Sequence, residues 1–299
     1  MKIPITFLGT GQAIPTAKRN HTSVWLEYKD EVILVDCGEG TQRQIRKAKL
    51  NPCKITRILI THWHGDHVLG LPGLLQTLAL NGYSKTLQIY VPRGTSVFLS
   101  RMMSMFVFAG KIDVRVEEVE EDNFLSTSEF FIQALPMMHG TPCLAYSFIE
   151  KGKIKIDKEK MKKLGLVSSP LMRDIKEGKD IEWKGKKIKS KDIIYSEEGK
   201  KITFILDTML NDNCYKLAEN SNLLICESTY AGAETELAKE YKHLTSEQAA
   251  VIAKKSNSKR LILTHLSQRY ENKEKIIVNE AKKLFKNVEV AEDLMKVEV

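Results

Sequence analysis

The stretch Thr61-His62-Trp63-His64-Gly65-Asp66-His67 places three histidines and one aspartate within six residues. It lies between residues 55–60, an apolar run that predicts a buried strand, and residues 70–80, which predict a helix. Side chains that follow a strand are held by a rigid scaffold and remain open to a ligand. Imidazoles together with a carboxylate suit a hydrolytic divalent metal. Because alternate side chains of an extended loop diverge, the four donors predict two metal ions rather than one.

Further donors follow other apolar runs. His139, Asp207 and His265 each come at the end of a run that predicts a strand. An unpaired carboxylate such as that of Asp207 is costly to bury after a strand. Each residue taken singly is an ordinary polar loop residue, but the pattern of strand followed by donor now occurs four times. We therefore expect these three side chains to complete the metal site.

The order of predicted elements favours two packed sheets. Strands are predicted near 2–8, 23–28, 31–37, 55–61, 87–91, 114–119, 129–135, 144–150, 201–206, 222–226, 260–264 and 288–292. Helices are predicted near 40–49, 68–80, 94–106, 211–220, 244–256 and 272–285. Early hairpins and a second strand-helix run after residue 200 indicate an α/β protein with two sheets face to face and helices outside. The alternation alone also allows a doubly wound sheet, and the metal pattern decides between them.

Length and composition exclude some classes of protein. A chain of 299 residues with 42% hydrophobic content can bury a large core as one domain or as two closely packed halves. It has no run of 18 apolar residues, and its first eight residues predict a strand rather than a secretory leader. The five cysteines show no C-x-x-C pairing, which suits a reducing compartment. We expect a cytoplasmic protein with no membrane contact.

A basic segment interrupts this chain at residues 151–191. It holds 15 Lys or Arg against 6 Asp or Glu, a net charge of +9, whereas the whole chain carries +8. Leu164, Leu166, Leu171 and Met172 make it too apolar for a disordered tail. A run of lysines is usually a solvated surface, but a folded basic arm can also bind phosphates by releasing counterions. We expect the second role.

The chain resembles the metallo-β-lactamase superfamily and, within it, the ribonuclease Z family of tRNA 3′-endonucleases. The loop of residues 62–67 and the later His139, Asp207 and His265 match the superfamily. The stretch Asp36-Cys37-Gly38-Glu39-Gly40-Thr41-Gln42 and the closing His265-Leu266-Ser267-Gln268-Arg269-Tyr270 are similar to ribonuclease Z, as are residues 8–11 and 15–20. The resemblance spans nearly the whole chain.

The resemblance implies a fold and a metal site. The fold is a metallo-β-lactamase αββα four-layer sandwich, a single domain over residues 1–299 with residues 151–191 as an inserted basic exosite arm. The cofactor is Zn²⁺, two ions per subunit. The implied ligands are His62, His64 and His139 for one ion, Asp66, His67 and His265 for the other, and Asp207 between them.

The resemblance also implies roles in catalysis. Asp66 orients or deprotonates the attacking water, and Glu227 with His243 protonates the leaving 3′-oxygen. The activity is removal of the 3′ trailer of precursor tRNA, which leaves a 3′-hydroxyl. The enzyme is a cytoplasmic homodimer without an obligatory protein partner, in which the arm of one subunit presents tRNA to the metal site of the other. The expected tRNA contacts are Lys18, Arg19, Asn20, Arg269, Tyr270, Lys162, Lys163 and Arg173.

Two departures and several alternatives remain. Lys18 stands directly before Arg19, which leaves open whether tRNAs that already carry CCA are rejected or cut, and Leu266 stands where Phe commonly follows the histidine. A metallo-β-lactamase-fold hydrolase of small esters, thioesters or phosphodiesters would use the same donors without needing a basic arm. A diiron redox domain usually carries Glu where His64 stands. A non-catalytic RNA-binding relative would lack some of the seven ligands, all of which are present.

Overall fold

A computed structural model describes residues 2–107, 112–167 and 169–299. Residue 168, inside the predicted arm, lies outside the described residues. The first of two large sheets has the strand order β18-β1-β2-β3-β4-β5-β6. Its strands are β1 Pro4–Gly9, β2 Ser23–Tyr28, β3 Glu31–Val35, β4 Arg57–Leu59, β5 Thr86–Pro92, β6 Asp113–Val119 and β18 Lys296–Glu298. The first three strands and β18 pair antiparallel, and β3 to β6 pair parallel.

The second sheet has the order β17-β16-β15-β14-β9-β8-β7. Its strands are β7 Asp122–Ser126, β8 Phe130–Pro136, β9 Leu144–Glu150, β14 Lys201–Ile205, β15 Leu223–Glu227, β16 Leu261–Thr264 and β17 Val288–Val290. The strands β14 to β17 are parallel, whereas β7, β8 and β9 pair antiparallel and β9 pairs antiparallel with β14. The carboxyl ends of β14, β15 and β16 therefore lie at one edge of this sheet.

The two sheets pack face to face around a core that includes Phe7, Tyr146 and Phe204. The helices α1 Thr41–Lys47, α2 Gly65–Val68, α3 Leu71–Leu80 and α4 Ser96–Ser104 follow strands of the first sheet, and α1, α3 and α4 contribute to a second core on its outer face. The helices α8 Asp212–Ala218, α9 Thr235–Glu240, α10 Ser246–Lys255 and α11 Glu274–Leu284 follow strands of the second sheet, and α8, α10 and α11 build a third core. The predicted αββα sandwich is confirmed, and two separate sheets exclude a single doubly wound one.

The basic arm is a small folded unit between β9 and β14. It contains β10 Lys153–Ile156, α5 Lys158–Lys163, α6 Leu171–Lys176, β11 Ile181–Trp183, β12 Lys186–Ile188, α7 Ser190–Ile193 and β13 Ile194–Glu197. Its own apolar core is formed by Leu166, Ile175, Ile181, Ile188 and Ile193. Lys153 pairs with Glu197 at the base, so the paired strands enclose residues 153–197, a range that overlaps the predicted 151–191. Charge alone set the predicted limit, whereas strand pairing sets the structural one.

The arm leaves the sheet far from the carboxyl ends of β14 to β16. Strand β9 runs antiparallel to β14, so it begins at that edge with Leu144 and ends at the opposite edge with Glu150. Seven residues at about 3.3 Å each separate the two edges by roughly 20 Å. Among the described helices, none is long and apolar enough to cross a lipid bilayer.

Candidate active site

Side chains converge at the edge where parallel strands of both sheets end. Asp36 follows β3, Asp207 follows β14 and His265 follows β16. Their φ angles are 57°, 45° and 58°, in the left-handed region. This conformation costs a non-glycine residue about 1–3 kcal/mol and persists where the surrounding structure holds it. It turns the chain sharply at the strand end, and the three side chains are fully or almost fully buried.

The first cluster of donor atoms contains His62, His64, His139 and Asp207. His64 Nδ1 lies 3.0 Å from His62 Nε2 and 3.1 Å from His139 Nε2. One carboxylate oxygen, Asp207 Oδ2, lies 3.6 Å from His62 Nε2 and 3.9 Å from His139 Nε2. Burial lowers the pKa of His62 and of His139, which keeps both rings neutral as metal ligands must be.

The second cluster contains Asp66, His67, Asp207 and His265. His67 Nε2 lies 3.3 Å from Asp66 Oδ2, 3.4 Å from Asp207 Oδ1 and 3.3 Å from His265 Nε2. His265 Nε2 lies 3.1 Å from Asp207 Oδ1 and 3.4 Å from Asp66 Oδ2. Asp207 therefore contributes one oxygen to each cluster.

Two histidines of the second cluster are hydrogen-bonded through the ring nitrogen that faces away from the cluster, so the unprotonated nitrogen of each ring faces into it. His67 Nδ1 donates to Asp36 Oδ2 at 2.6 Å. The Thr229 hydroxyl donates its proton to Glu227 Oε2 at 2.6 Å. Its oxygen therefore acts as acceptor toward His265, and His265 Nδ1 donates to Thr229 Oγ1 at 3.0 Å. In the neutral rings both Nε2 atoms then carry lone pairs, and at 3.3 Å from each other they repel unless a cation lies between them.

The first cluster has the same arrangement. The Thr61 hydroxyl donates to Asp36 and so accepts from His62 Nδ1 at 3.0 Å. His139 Nδ1 donates to the carbonyl of Lys242 at 3.1 Å. His62 and His139 therefore present Nε2 to the cluster without a proton, which is the tautomer that a metal ion requires, whereas His64 faces the cluster with Nδ1.

The residues fit a pair of divalent ions. Tetrahedral zinc with bonds of about 2.0–2.1 Å has ligand atoms about 3.3–3.4 Å apart, and the second cluster has separations of 3.1–3.4 Å. Asp207 Oδ1 is buried and accepts no hydrogen bond from the described part of the chain, as expected of an oxygen that binds a cation. Burial opposes charge on His67, yet the carboxylates of Asp207, Asp66 and Asp36 raise its pKa well above the usual range, so this position favours positive charge.

Glu227 and His243 form a buried pair beside the clusters. Glu227 Oε1 lies 3.1 Å from His243 Nδ1 and also accepts from the backbone N–H of Thr208 at 2.7 Å. Burial opposes protonation of His243, but the Glu227 carboxylate outweighs burial and raises the pKa of His243 to about 9. The same pairing outweighs burial at Glu227 and lowers its pKa. Although Glu227, His243 and His265 also lie within reach of one ion, Glu227 is engaged in hydrogen bonds with His243 and Thr229, and His265 Nδ1 in one with Thr229.

Asp36 is the residue that the sequence analysis left without a role in the site. It is completely buried and accepts from the Thr61 backbone N–H and hydroxyl, both at 2.8 Å, as well as from His67. It stands after the apolar strand β3, which is the same pattern that identified Asp207. The loop after it packs on the metal loop so closely that a Cβ at Gly38 would lie 2.3 Å from the Asp66 carbonyl.

The predicted tRNA contacts fall into two groups. The Arg19 guanidinium is buried and donates to Thr10 Oγ1 and the Ala291 carbonyl, both at 2.7 Å, and the Tyr270 hydroxyl accepts from the Ala231 N–H at 2.7 Å. These two side chains are directed inward, which does not suit a direct phosphate contact, and they hold loops in place. The others are exposed or partly exposed: Lys18, Asn20, Arg269, Lys162, Lys163 and Arg173.

Three of the exposed cations already have partners, and one of them is Arg173, whose Nε donates to Glu177 Oε1 at 2.9 Å. Arg269 lies over the ring of Tyr230, 5.2 Å from its centroid, and donates to Glu234 at 2.6 Å. Lys18 Nζ donates to Asn272 Oδ1 at 2.5 Å. The arm residues Lys162 and Lys163 lie on α5, and the arm leaves the sheet at the edge opposite to the donor clusters, roughly 20 Å from them.

Comparison with known proteins gives one partial match and many that cover the whole chain. A family model described as Anti-Pycsar protein Apyc1 matches residues 3–103, about a third of the chain. Ribonuclease Z of Methanothermobacter thermautotrophicus is 39% identical over 296 residues, which are 99% of this chain and 96% of the relative. Ribonuclease Z of Bacillus cereus is 37% identical over 96% of both chains.

Solved structures agree with these relatives. The short form of human tRNase Z superposes with a TM-score of 0.72 at 30% identity, covering 98% of both chains. The metallo-β-lactamase fold protein YhfI from Bacillus subtilis superposes with a TM-score of 0.73 at 19% identity over the full length of both chains, which supports the fold alone.

Proposed function

The chain belongs to the ribonuclease Z family, and from that membership we infer that it is a metal-dependent endoribonuclease that removes the 3′ trailer of precursor tRNA. The observation that carries the proposal is Asp207, whose two oxygens face two separate donor clusters. A phosphodiester held across such a centre is hydrolysed by water. Phosphorus gains the water oxygen and loses the 3′-oxygen, so the tRNA leaves with a 3′-hydroxyl and the trailer with a 5′-phosphate.

We propose zinc as the metal, with two ions per chain. Five imidazoles and two carboxylates form a donor set of intermediate softness, and metal availability also decides between Zn, Mn and Fe. His62, His64 and His139 would hold one ion, Asp66, His67 and His265 the other, and Asp207 both. When bound, the ions supply polarisation of the phosphate and acidification of water.

The remaining chemistry belongs to side chains of the protein. Asp66 Oδ2 faces the second cluster and would orient the attacking water and accept its proton. Glu227 accepts from Nδ1 of His243 and raises the pKa of the ring, so the imidazole is charged near neutral pH and carries a second proton on Nε2, which would pass to the leaving 3′-oxygen. Thr229 connects this donor to the metal centre, because its hydroxyl bridges Glu227 and His265.

The position of the arm supports a homodimer in which the arm of one subunit presents tRNA to the metal centre of the other. The arm emerges at the sheet edge opposite to its own donor clusters, about 20 Å away. A tRNA held by residues 153–197 would therefore reach the metal centre of a second copy more easily than that of the same chain. Structured RNA is recognised mainly through its shape and backbone, which suits a basic arm with its own apolar core.

We propose direct tRNA contacts for the exposed and partly exposed side chains of this set and a positioning role for the buried ones. Lys18 and Asn20 lie on the loop between β1 and β2, Arg269 lies on the loop after β16, and Lys162, Lys163 and Arg173 lie on the arm. Arg19 and Tyr270 position those loops through the Ala291 carbonyl and the Ala231 N–H. We further propose that the enzyme works in the cytoplasm, where precursor tRNA is the partner and no other protein is required.

Precursor tRNA, with and without CCA, provides the test. The purified chain should cut next to the discriminator nucleotide, a chelator should stop the reaction, and metal analysis should find about two zinc ions per chain. Hydrolysis of bis(p-nitrophenyl) phosphate, a small diester, is measured in parallel. Hydrolysis of the small diester together with indifference to precursor tRNA would favour a small-substrate hydrolase and overturn the proposal.

A further inference from the structure

A groove lies at the base of the arm, on the sheet edge opposite to the metal centre. Its walls are the end of β9, the start of β14 and the loops at 219–222 and 257–259. Its polar lining includes three lysines and three asparagines: Lys151, Lys201, Lys259, Asn220, Asn222 and Asn257. Strands β14, β15 and β16 begin at this edge and end at the donor clusters, so the groove and the metal centre are separate.

The lysines of the groove form no ion pair with the described carboxylates. Lys201 Nζ donates to the backbone carbonyl of Glu219 at 2.9 Å, and Lys151 Nζ donates to Ser126 Oγ at 3.0 Å and to a backbone carbonyl. Within the described ranges, no carboxylate lies in ion-pair distance of Lys151, Lys201 or Lys259. Burial lowers the pKa of Lys201, because its ammonium is partly removed from water.

The loops that carry these groups are held rigidly. The Asn220 N–H donates to the Ser256 carbonyl at 2.7 Å, and the Lys259 N–H donates to the Ser221 carbonyl at 2.8 Å. Asn257 Nδ2 donates to Asn220 Oδ1 at 2.9 Å, which joins the two loops through their side chains. A preformed surface loses less entropy when it binds a partner.

Two glutamates also line the groove, and they differ in their surroundings. Glu150 is buried, accepts from the Tyr28 hydroxyl at 3.0 Å and lies 3.3 Å from Lys153 Nζ. Glu198 is exposed at the rim. The exposed Glu219, on the wall loop at 219–222, adds a second carboxylate close enough to act on Lys201. Three lysines still outnumber these two exposed carboxylates, so the surface carries net positive charge.

We propose that this groove binds backbone phosphates of the precursor tRNA and extends the arm's contact surface onto the body of the same chain. The proposal rests on the proposed function. Lys151 leads directly into the arm and Glu198 directly follows it, so the groove is continuous with the basic segment. An ammonium group that contacts a phosphate does not distinguish one nucleobase from another, and it gains affinity because the phosphate releases its counterions. Such groups therefore suit a contact with the RNA backbone.

The test compares matched pairs of lysine variants in the full-length, metal-loaded protein. Lys201→Gln with Lys259→Gln removes the two positive charges, and Lys201→Arg with Lys259→Arg retains them. Lys282→Gln with Lys283→Gln, on the exposed last turn of α11, removes the same charge elsewhere. Dissociation constants for precursor tRNA are measured over a range of salt concentrations, and hydrolysis of bis(p-nitrophenyl) phosphate reports whether the metal centre is intact.

The glutamine pair in the groove should weaken tRNA binding roughly five- to tenfold and reduce the slope of log K against log salt by about 1–2. The arginine pair should bind like the parent chain, and Glu198→Gln should bind more tightly. Three results would each overturn the proposal: unchanged binding in the groove pair, an equal loss in the α11 pair, or a loss that arginine does not restore. Failure of the parent chain to cut precursor tRNA would instead overturn the proposed function.

Discussion

Asp36 Oδ2 accepts a hydrogen bond from His67 Nδ1 at 2.6 Å, while the same carboxylate holds Thr61, which in turn orients His62. One buried aspartate is thus connected to a donor of each metal cluster. Asp36→Asn should lower metal affinity by roughly 10–100-fold, because the amide cannot accept from all these donors. Competition with a chelator, followed by metal analysis, measures the loss.

The control for this prediction is Asp30→Asn, an exposed aspartate in the turn between β2 and β3 of the same sheet. It should keep the affinity of the parent chain. Equal metal affinity in the Asp36 and Asp30 variants would show that the carboxylate does not orient the ligands.

Glu227→Gln should affect substrates according to their leaving group. Cleavage of precursor tRNA should fall by roughly 10²–10⁴-fold, because His243 no longer donates its proton effectively. Hydrolysis of bis(p-nitrophenyl) phosphate should fall far less, because nitrophenolate leaves without a proton. Rates at saturating substrate check this, with Glu236→Gln on the exposed surface of α9 as the control. An equal loss on both substrates would contradict the role of proton donor.

Asp66→Ala should abolish cleavage while tRNA affinity stays nearly intact, since the side chain lies in the metal centre and not on the arm. Removal of the arm should have the reverse effect, with loss of tRNA binding and retention of small-diester hydrolysis. Residues 153–197 can be replaced by a short turn because Ile149 and Lys201 are paired neighbours in the sheet. Unchanged tRNA binding after removal would show that the arm is not the binding element.

Cysteine reactivity should report which thiols are accessible to solvent in the folded chain. Cys37, Cys143, Cys214 and Cys226 are buried, and burial raises the pKa of each thiol, to about 11 for Cys214. Cys53 is partly exposed. Iodoacetamide should label the native chain at Cys53 alone and the unfolded chain at all five positions, as measured by mass spectrometry. Native Cys53→Ser should take no label, and labelling of a buried thiol would contradict the packing.

Local patterns predicted the elements with strong apolar content and missed those that depend on distant partners. Strands β2 and β9 occupy the predicted ranges, because their side chains are almost all buried. The sequence analysis missed β7, β18 and α9, which are short or contain many exposed side chains. Strand β18 forms by pairing with β1 across the whole chain, and no local pattern reports such a partner.

The sequence by itself determined the donor types, because these follow from residue chemistry. The order of apolar runs left two α/β architectures open, and the metal pattern together with the family resemblance favoured the αββα sandwich. The resemblance implied how those donors divide into two clusters that share Asp207, and the tertiary structure brings them together in that arrangement. Only the tertiary structure decided that Asp36 supports both clusters. It also decided that Arg19 is directed inward, because its partner at Ala291 lies at the other end of the chain. Such contacts depend on distances between residues far apart in sequence, and only packing of the two sheets sets those distances.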